Sequence, residues 1–327
     1  MRGFDPKSTE VRDIFGFLLA GVAPRPIALV STVSADGHVN LAPFSFFNAF
    51  SANPPIVAFS PSRRLRDSSV KDTYTNIMST EECVIQVVTY DIVQQVNLAS
   101  ADFDPQVNEF EKSGLTPVES VVVKPPCVAE SPFQMECRLN QMVTLGEGGA
   151  SGNLAICEVV RFHIDESIID SEVIDLNKLN LVARMGGARY CHASGAAVFE
   201  IAKPTGAEPI GYDRLPEYIR NSATLSAKHL ALLAGAEAIP SAEEARNAVE
   251  RTEPLSTASV NIYEQYIADK DHNALLQIAR RLQTVESFET AAKQALEQTE
   301  RDANATQELV TFAWNALVYA HNALTPA

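Results

Sequence analysis

The stretch from Arg25 to Ser60 limits this chain more than any other, because it holds three β-rich runs in a row. PIALVSTVS (26–34) is dense in β-branched residues, which fit a pleated surface. Asp36-Gly37 follows, the dipeptide that closes a two-residue hairpin, so HVNLAPFSFFNAFSA reads as one return strand. Pro54-Pro55 ends it, and IVAFS (56–60) is a third strand. In the return strand Phe44, Phe46 and Phe50 share one parity, while Phe47 and Ala49 share the other, so both faces are apolar. A sheet closed or nearly closed on itself accounts for that. With few helices between strands, the expected fold is mainly β, an antiparallel barrel rather than a doubly wound sheet. Asn40, Ser45, Asn48 and Ser51 are set among the rings, and a plain core strand has no use for them.

The same texture continues to about residue 200. SRRLRDSSVKDTYTNIMST (62–80) turns to loop and helix, with Asp72 or Thr73 placed to cap the helix start. CVIQVVT (83–89) is strand, YDIVQQVNLAS (90–100) is helix, and FQMECRLNQMVTL and NLAICEVVRFHI are long strands. The loop between those two, GEGGASG (146–152), fails G-x-G-x-x-G at Ser151 and leads into a strand. It reads as a flexible hairpin tip. After Lys203 the strands stop. SAEEARNAVE opens with the capping-box pair Ser241 and Glu244. Residues 271–298 carry Leu275, Leu276, Ala279, Leu282, Val285 and Phe288 at helical spacing, and TQELVTFAWNALVYAHNA is a last helix. Two domains are therefore expected: a barrel with flanking helices over 1–203 and an all-α domain over 204–327.

Composition narrows the function. Net charge is -15, with 16 basic against 24 acidic residues in 1–203 and 10 against 17 in 204–327. No basic stripe survives that balance, so neither nucleic acid nor an anionic membrane is an expected partner. The only N-terminal apolar run, IFGFLLAGVA (14–23), is too short to span a bilayer and reads as a helix leading into the first strand. Five cysteines without a C-x-x-C pair suit reduced thiols, and a cytoplasmic location is the expectation.

G-x-S-x-G, H-E-x-x-H and Walker A are all missing, and the six histidines are scattered. An enzyme built this way leaves the hard step to an organic cofactor. The anion-binding signal is better. SPSRRLRDSSVKDT (60–73) gathers Ser60, Ser62, three arginines, Lys71 and Thr73 at one strand-to-helix transition. Hydroxyls, guanidinium forks and free N–H groups are what a phosphate monoester needs, although a solvated basic turn has the same composition.

The ordered series P-R-P-I, D-G, N-L-A-P-F-S-F-F-N and S-x-x-P-P, followed by KDTYTNI, resembles the flavin reductase-like proteins. LVARMGGARY (181–190) resembles their later R-x-G-G-x-x-Y element, and residues 211–235 resemble an extension of longer members. The resemblance covers residues 11–200 and implies an FMN-binding split barrel. It implies that Pro43, Phe44, Ser45 and Asn48 border the flavin ring and ribityl chain. Ser60, Arg64, Lys71 and Thr73 would hold the FMN phosphate. Asn76 is a further phosphate candidate that reads equally as a helix-surface residue. Arg184 and Tyr190 would close over the flavin, Tyr190 reading equally as a core aromatic with a bonded hydroxyl. The resemblance further implies a homodimer, FMN as cofactor and NADH or NADPH as co-substrate. The expected reaction is NAD(P)H-dependent reduction of FMN, which supplies reduced flavin to a partner monooxygenase. An electron-transfer flavoprotein serving a redox protein, and a non-catalytic flavin-binding module, are the alternatives.

Overall fold

The computed structural model describes residues 1–201, 208–251, 276, 279, 284–299 and 306–324. The chain divides into two compact units, Met1–Val198 and Phe199–Ala327.

In the first unit, helix α1 (Val11–Gly21) precedes strands β1 (Ala28–Val33), β2 (Val39–Phe44), β3 (Phe47–Ala52) and β4 (Pro55–Phe59). Helix α2 (Asp72–Thr80), strand β5 (Glu82–Val87), and helices α3 (Val93–Ala99) and α4 (Glu109–Ser113) follow. After the short pair β6 (Pro117–Val118) and β7 (Cys127–Val128) comes the long hairpin of β8 (Phe133–Thr144) and β9 (Asn153–Ile164). The unit ends with β10 (Ile169–Asp170), β11 (Val173–Ile174), α5 (Leu176–Leu179), and the hairpin of β12 (Leu181–Arg184) and β13 (Tyr190–Ala193).

Seven strands form one antiparallel sheet in the order β2-β1-β5-β8-β9-β4-β3. The return strand read from sequence is thus two strands. The chain breaks at Ser45-Phe46, and its halves lie at opposite edges of the sheet. A flat seven-stranded sheet spans six spacings of about 4.8 Å, or roughly 29 Å. The two linking residues reach no more than about 11 Å. The sheet therefore curls until its edges meet, and its unpaired seam at Ser45-Phe46 makes it a split barrel.

Three further sequence expectations change. The Asp36-Gly37 turn is not a two-residue hairpin. Ser34 N–H donates to His38 O at 2.9 Å and Gly37 N–H to Ser34 O at 3.0 Å, with Gly37 at φ +88. That is a three-residue loop in which glycine takes the left-handed position. Phe50 is not core. It is the extra residue of a bulge, since Ala49 pairs with Val57 and Ser51 with Ile56, and its ring is 66 % exposed. Neither Asp72 nor Thr73 caps α2. The N-cap is Lys71, because Asp72 turns to Arg64 and Thr73 to Asn40.

The sheet is apolar on both sides, which explains why β1 shows no polar alternation. One face packs Ala28, Val30, Phe44, Phe59, Ile85 and Cys137 together with Ile77 of α2. The other packs Leu29 and Leu41 against Val96 of α3 and Phe110 of α4. All five cysteines are unpaired.

The second unit holds helices and no strand among its described residues. Its helices are α6 (Glu217–Arg220), α7 (Ala227–Ala234), α8 (Ala242–Arg251), α9 (Val285–Gln298) and α10 (Thr306–Leu324). Its core holds Ile219, Leu233, Phe288 and Trp314, with the Trp314 indole N–H donating to Leu233 O at 3.1 Å. Ser241 and Glu244 form the capping box at α8. The helical run read over 271–298 is interrupted at Thr284, which is extended and caps α9 through its hydroxyl. Leu276 and Ala279 are buried and helical, and Leu275 and Leu282 lie outside the described residues.

Candidate functional site

A cleft of about 500 Å³ opens at the barrel seam. Its floor is Pro43 to Phe46, the end of β2 and the two linking residues. Phe15 and Leu19 of α1 form one wall, and the loop after β4 supplies Ser60, Ser62, Arg63, Arg64 and Lys71 at the far end. Helix α1 presents no buried residue of its own, so its place rests on Arg25. That guanidinium is 4 % exposed and donates to Leu19 O at 2.7 Å, Val22 O, Met185 O at 3.1 Å and Ser45 Oγ at 3.4 Å. One side chain thus fastens the helix, the seam and the β12–β13 hairpin.

The loop after β4 is held from two directions. On one side the β8–β9 tip docks onto it. Arg63 N–H donates to Ser151 O at 2.9 Å, Ala150 N–H to Arg63 O at 3.2 Å, and Asn153 Nδ2 to Pro61 O at 3.2 Å. A Cβ on Gly149 would lie 2.6 Å from Leu65 O, so this contact needs a glycine. The tip read as flexible is a packed brace. On the other side Asp102 accepts from Arg64 Nε at 3.1 Å and from Arg66 Nη2 at 2.7 Å. The bond from Arg64 holds the Asp102 carboxyl below its ordinary range.

This bracing divides the cations. Arg64 is committed to Asp102, to Asp72 at 3.4 Å, to Ser69 and to Val70 O. The Lys71 ammonium forms no ion pair or hydrogen bond among the described residues, and burial followed by the charge of Arg64 lowers its pKa. Arg63 donates to Ser68 O at 3.0 Å but leaves a buried Nε without a partner. The Ser60 and Ser62 hydroxyls face each other at 3.3 Å. An orphaned guanidinium N–H, a half-buried ammonium and two adjacent hydroxyls fit one phosphate dianion.

Of the residues singled out from sequence, Pro43, Phe44, Ser45, Ser60, Arg64 and Lys71 line this cleft together. Thr73 and Asn76 are buried beneath it: Asn40 Nδ2 donates to Thr73 Oγ1 at 3.0 Å and Asn76 Nδ2 to Thr32 Oγ1 at 3.0 Å. They lock α2 onto the β1–β2 hairpin. Asn48 is exposed on β3 and accepts from the adjacent Ala49 N–H at 2.9 Å. Arg184 and Tyr190 line a different cleft, of about 420 Å³. Sequence reasoning passed over Arg25, Phe15, Leu19 and Asp102. Only Arg25 left a trace, as a charge between two prolines at the mouth of a buried strand.

Residues 20–178 match the family model described as a flavin reductase like domain. An uncharacterized protein of Aquifex aeolicus (strain VF5) is 34% identical over 199 residues, spanning 61% of this chain and 99% of that protein. The chain belongs to the flavin reductase-like domain family. Solved relatives agree with the fold. Nitrilotriacetate monooxygenase component B from Bacillus cereus is 32% identical with a TM-score of 0.58, covering 62% of this chain and 98% of that one. A Shewanella frigidimarina protein assigned as a flavin reductase with a split barrel domain is 26% identical with a TM-score of 0.52, covering 62% of this chain and all of that one. The family model ends inside the first unit, so family membership is carried by the split barrel and not by the helical unit. No metal-binding group of three or more His, Cys, Asp or Glu side chains occurs among the described residues. Nor is any described helix long and apolar enough to cross a membrane.

Proposed function

We propose that this flavin reductase-like protein is an NAD(P)H-dependent FMN reductase working as a homodimer. The observation that carries the reading is the cleft at the barrel seam, which ends in Ser60, Ser62, Arg63 and the uncommitted Lys71. Those groups suit a flavin with one terminal phosphate. FMN held there would supply hydride-accepting chemistry toward the nicotinamide of NADH or NADPH.

The chain's own residues bind, orient and exclude water. Lys71 and the two hydroxyls hold the phosphate, while Arg64 keeps their loop in shape through Asp102. Ser45 and Phe46 lie outside both strand ladders, which leaves their backbone N–H groups for the polar edge of a flat ring. Phe15, Leu19 and Phe46 shield that ring from water and favour a second ring stacked against it. Exposed Phe17 and Leu18 on α1 and Phe50 on β3 supply apolar surface for a second copy. Likeness to a monooxygenase component supports delivery of the reduced flavin to an oxygenase.

The test is to titrate FMN into the purified protein and follow the visible spectrum, then add NADH or NADPH without oxygen. Prompt bleaching is the expected result. A bound flavin that stays oxidised would remove the reductase reading, and no binding would remove the flavin itself.

A further inference from the structure

The second cleft is built differently from the first. Its volume of about 420 Å³ is within the range of small-molecule sites. On one wall the Arg184 guanidinium lies over the Tyr190 ring, 4.4 Å from its centroid. Beside that pair, His192 lies two residues along β13 from Tyr190 and so on the same face of the hairpin, and Tyr90 stacks on it at 4.4 Å with the planes 23° apart. The His192 ring is held in place, since its Nε2 meets Asn180 Oδ1, and Asn180 Nδ2 donates to Asp91 at 3.1 Å. Gln94 and Asn97 of α3, three residues apart and so on one side of the helix, line the same space.

The charges are out of balance. Arg184 forms no ion pair among the described residues, and buried Arg25 is bonded only to carbonyls and a hydroxyl. The two are joined through their backbones, each N–H donating to the other's carbonyl at 3.0 and 2.8 Å. Burial, and then the charge of Arg184, lowers the Arg25 pKa. Asp91, next to Tyr90, accepts from Asn180 and does not line the cleft. The Arg184 guanidinium thus borders the cleft with no carboxylate bonded to it among the described residues, and the nearby charge of Arg25 adds to the positive potential there. Such an arrangement favours an anion from outside.

We infer that this cleft is a second binding site, for a small planar aromatic ring carrying one anionic group. Arg184 pairs with the anion, and the Tyr90–His192 stack offers its face to the ring. The amides of Gln94 and Asn97 complete the polar rim. Within one chain this cleft and the cleft at the barrel seam share no lining residue, so the two sites can be tested separately.

The experiment is calorimetric titration of the full chain with benzoate and, separately, with phenyl phosphate, each with and without saturating FMN. Binding is expected on the order of 1 mM or tighter for at least one probe, and the tighter probe tells carboxylate from phosphate. FMN should leave the affinity unchanged. Arg184→Gln should weaken binding about ten-fold while the thermal midpoint stays put, and Tyr90→Ser should weaken it also. Lys71→Ala should have no effect. If neither probe binds, if FMN or Lys71→Ala abolishes binding, or if both Arg184→Gln and Tyr90→Ser bind as the parent does, the site is not where we place it.

Discussion

Among single residues, Lys71 and Arg64 look alike in sequence and differ in duty. Lys71 has no bonded partner in the cleft, whereas Arg64 is spent on Asp102, Asp72 and the backbone of its own loop. Lys71→Ala should therefore weaken FMN binding roughly ten- to hundred-fold, the worth of a hydrogen bond to a charged group, with little change in melting. Arg64→Ala should lower the melting temperature as well as the affinity. Quenching of flavin fluorescence and a thermal melt separate the two. Glu136 is a second residue with a specific duty. Its carboxylate is fully buried, accepts from the backbone N–H groups of Val121, Val122 and Val123, and meets His163 Nε2 at 2.6 Å. Burial alone would push its pKa up, but His163 and the three N–H groups outweigh it and hold the carboxyl below its usual 4.5. A depressed folded value means the unfolded chain binds the proton more readily. The stabilisation is thus present above 4.5 and lost as pH falls through the folded value. Glu136→Gln should cost about 3 kcal/mol at neutral pH and flatten the acid limb of stability. Urea midpoints measured from neutral to acid pH check both.

At the level of elements, the β8–β9 tip carries the sharpest expectation. A side chain at Gly149 collides with the Leu65 backbone, not with a movable side-chain end. Gly149→Val should cost about 1–3 kcal/mol and loosen FMN, because the same loop presents Lys71. Equilibrium unfolding with FMN titration on one sample tests this, and a variant that binds FMN normally would remove the tip from the site. The tip also shows where sequence stops being readable. Glycine in GEGGASG signals a turn, but only the fold says that Leu65 approaches it. The strands from Pro26 to Ser60 were legible because β-branched runs and proline stops are local signals. The break at Ser45-Phe46 was not, since it depends on which sheet edge each half joins. Ser60 and Lys71 were legible as neighbours lining one cleft because they lie on one loop. Thr73 and Asn76 have the same composition, yet their partners Asn40 and Thr32 come from a hairpin more than thirty residues earlier. Phe15, Leu19 and Asp102 reach the cleft from distant segments, and no spacing rule connects them.

For the whole molecule, two separate cores imply two separable folding units. A fragment ending at Val198 should unfold cooperatively and bind FMN as the full chain does, which calorimetry and flavin titration would establish. Light scattering on the same fragment tests whether the helical unit is needed for the homodimer. The barrel itself is fastened late. β4 pairs with β9, with Ile56 opposite Glu158, so the closing contacts join segments far apart in the chain. Long-range pairing of this kind is slow, because loop entropy is lost before the contacts are gained. The β1–β2 and β3–β4 hairpins are local and stay tied together at Ser45-Phe46, but the sheet between them closes only when β5, β8 and β9 have paired. The cleft spans that seam, so an incompletely folded chain has no pocket to offer. Any ligand held there binds only chains that have finished folding, and its presence during synthesis would draw the slow last step to completion.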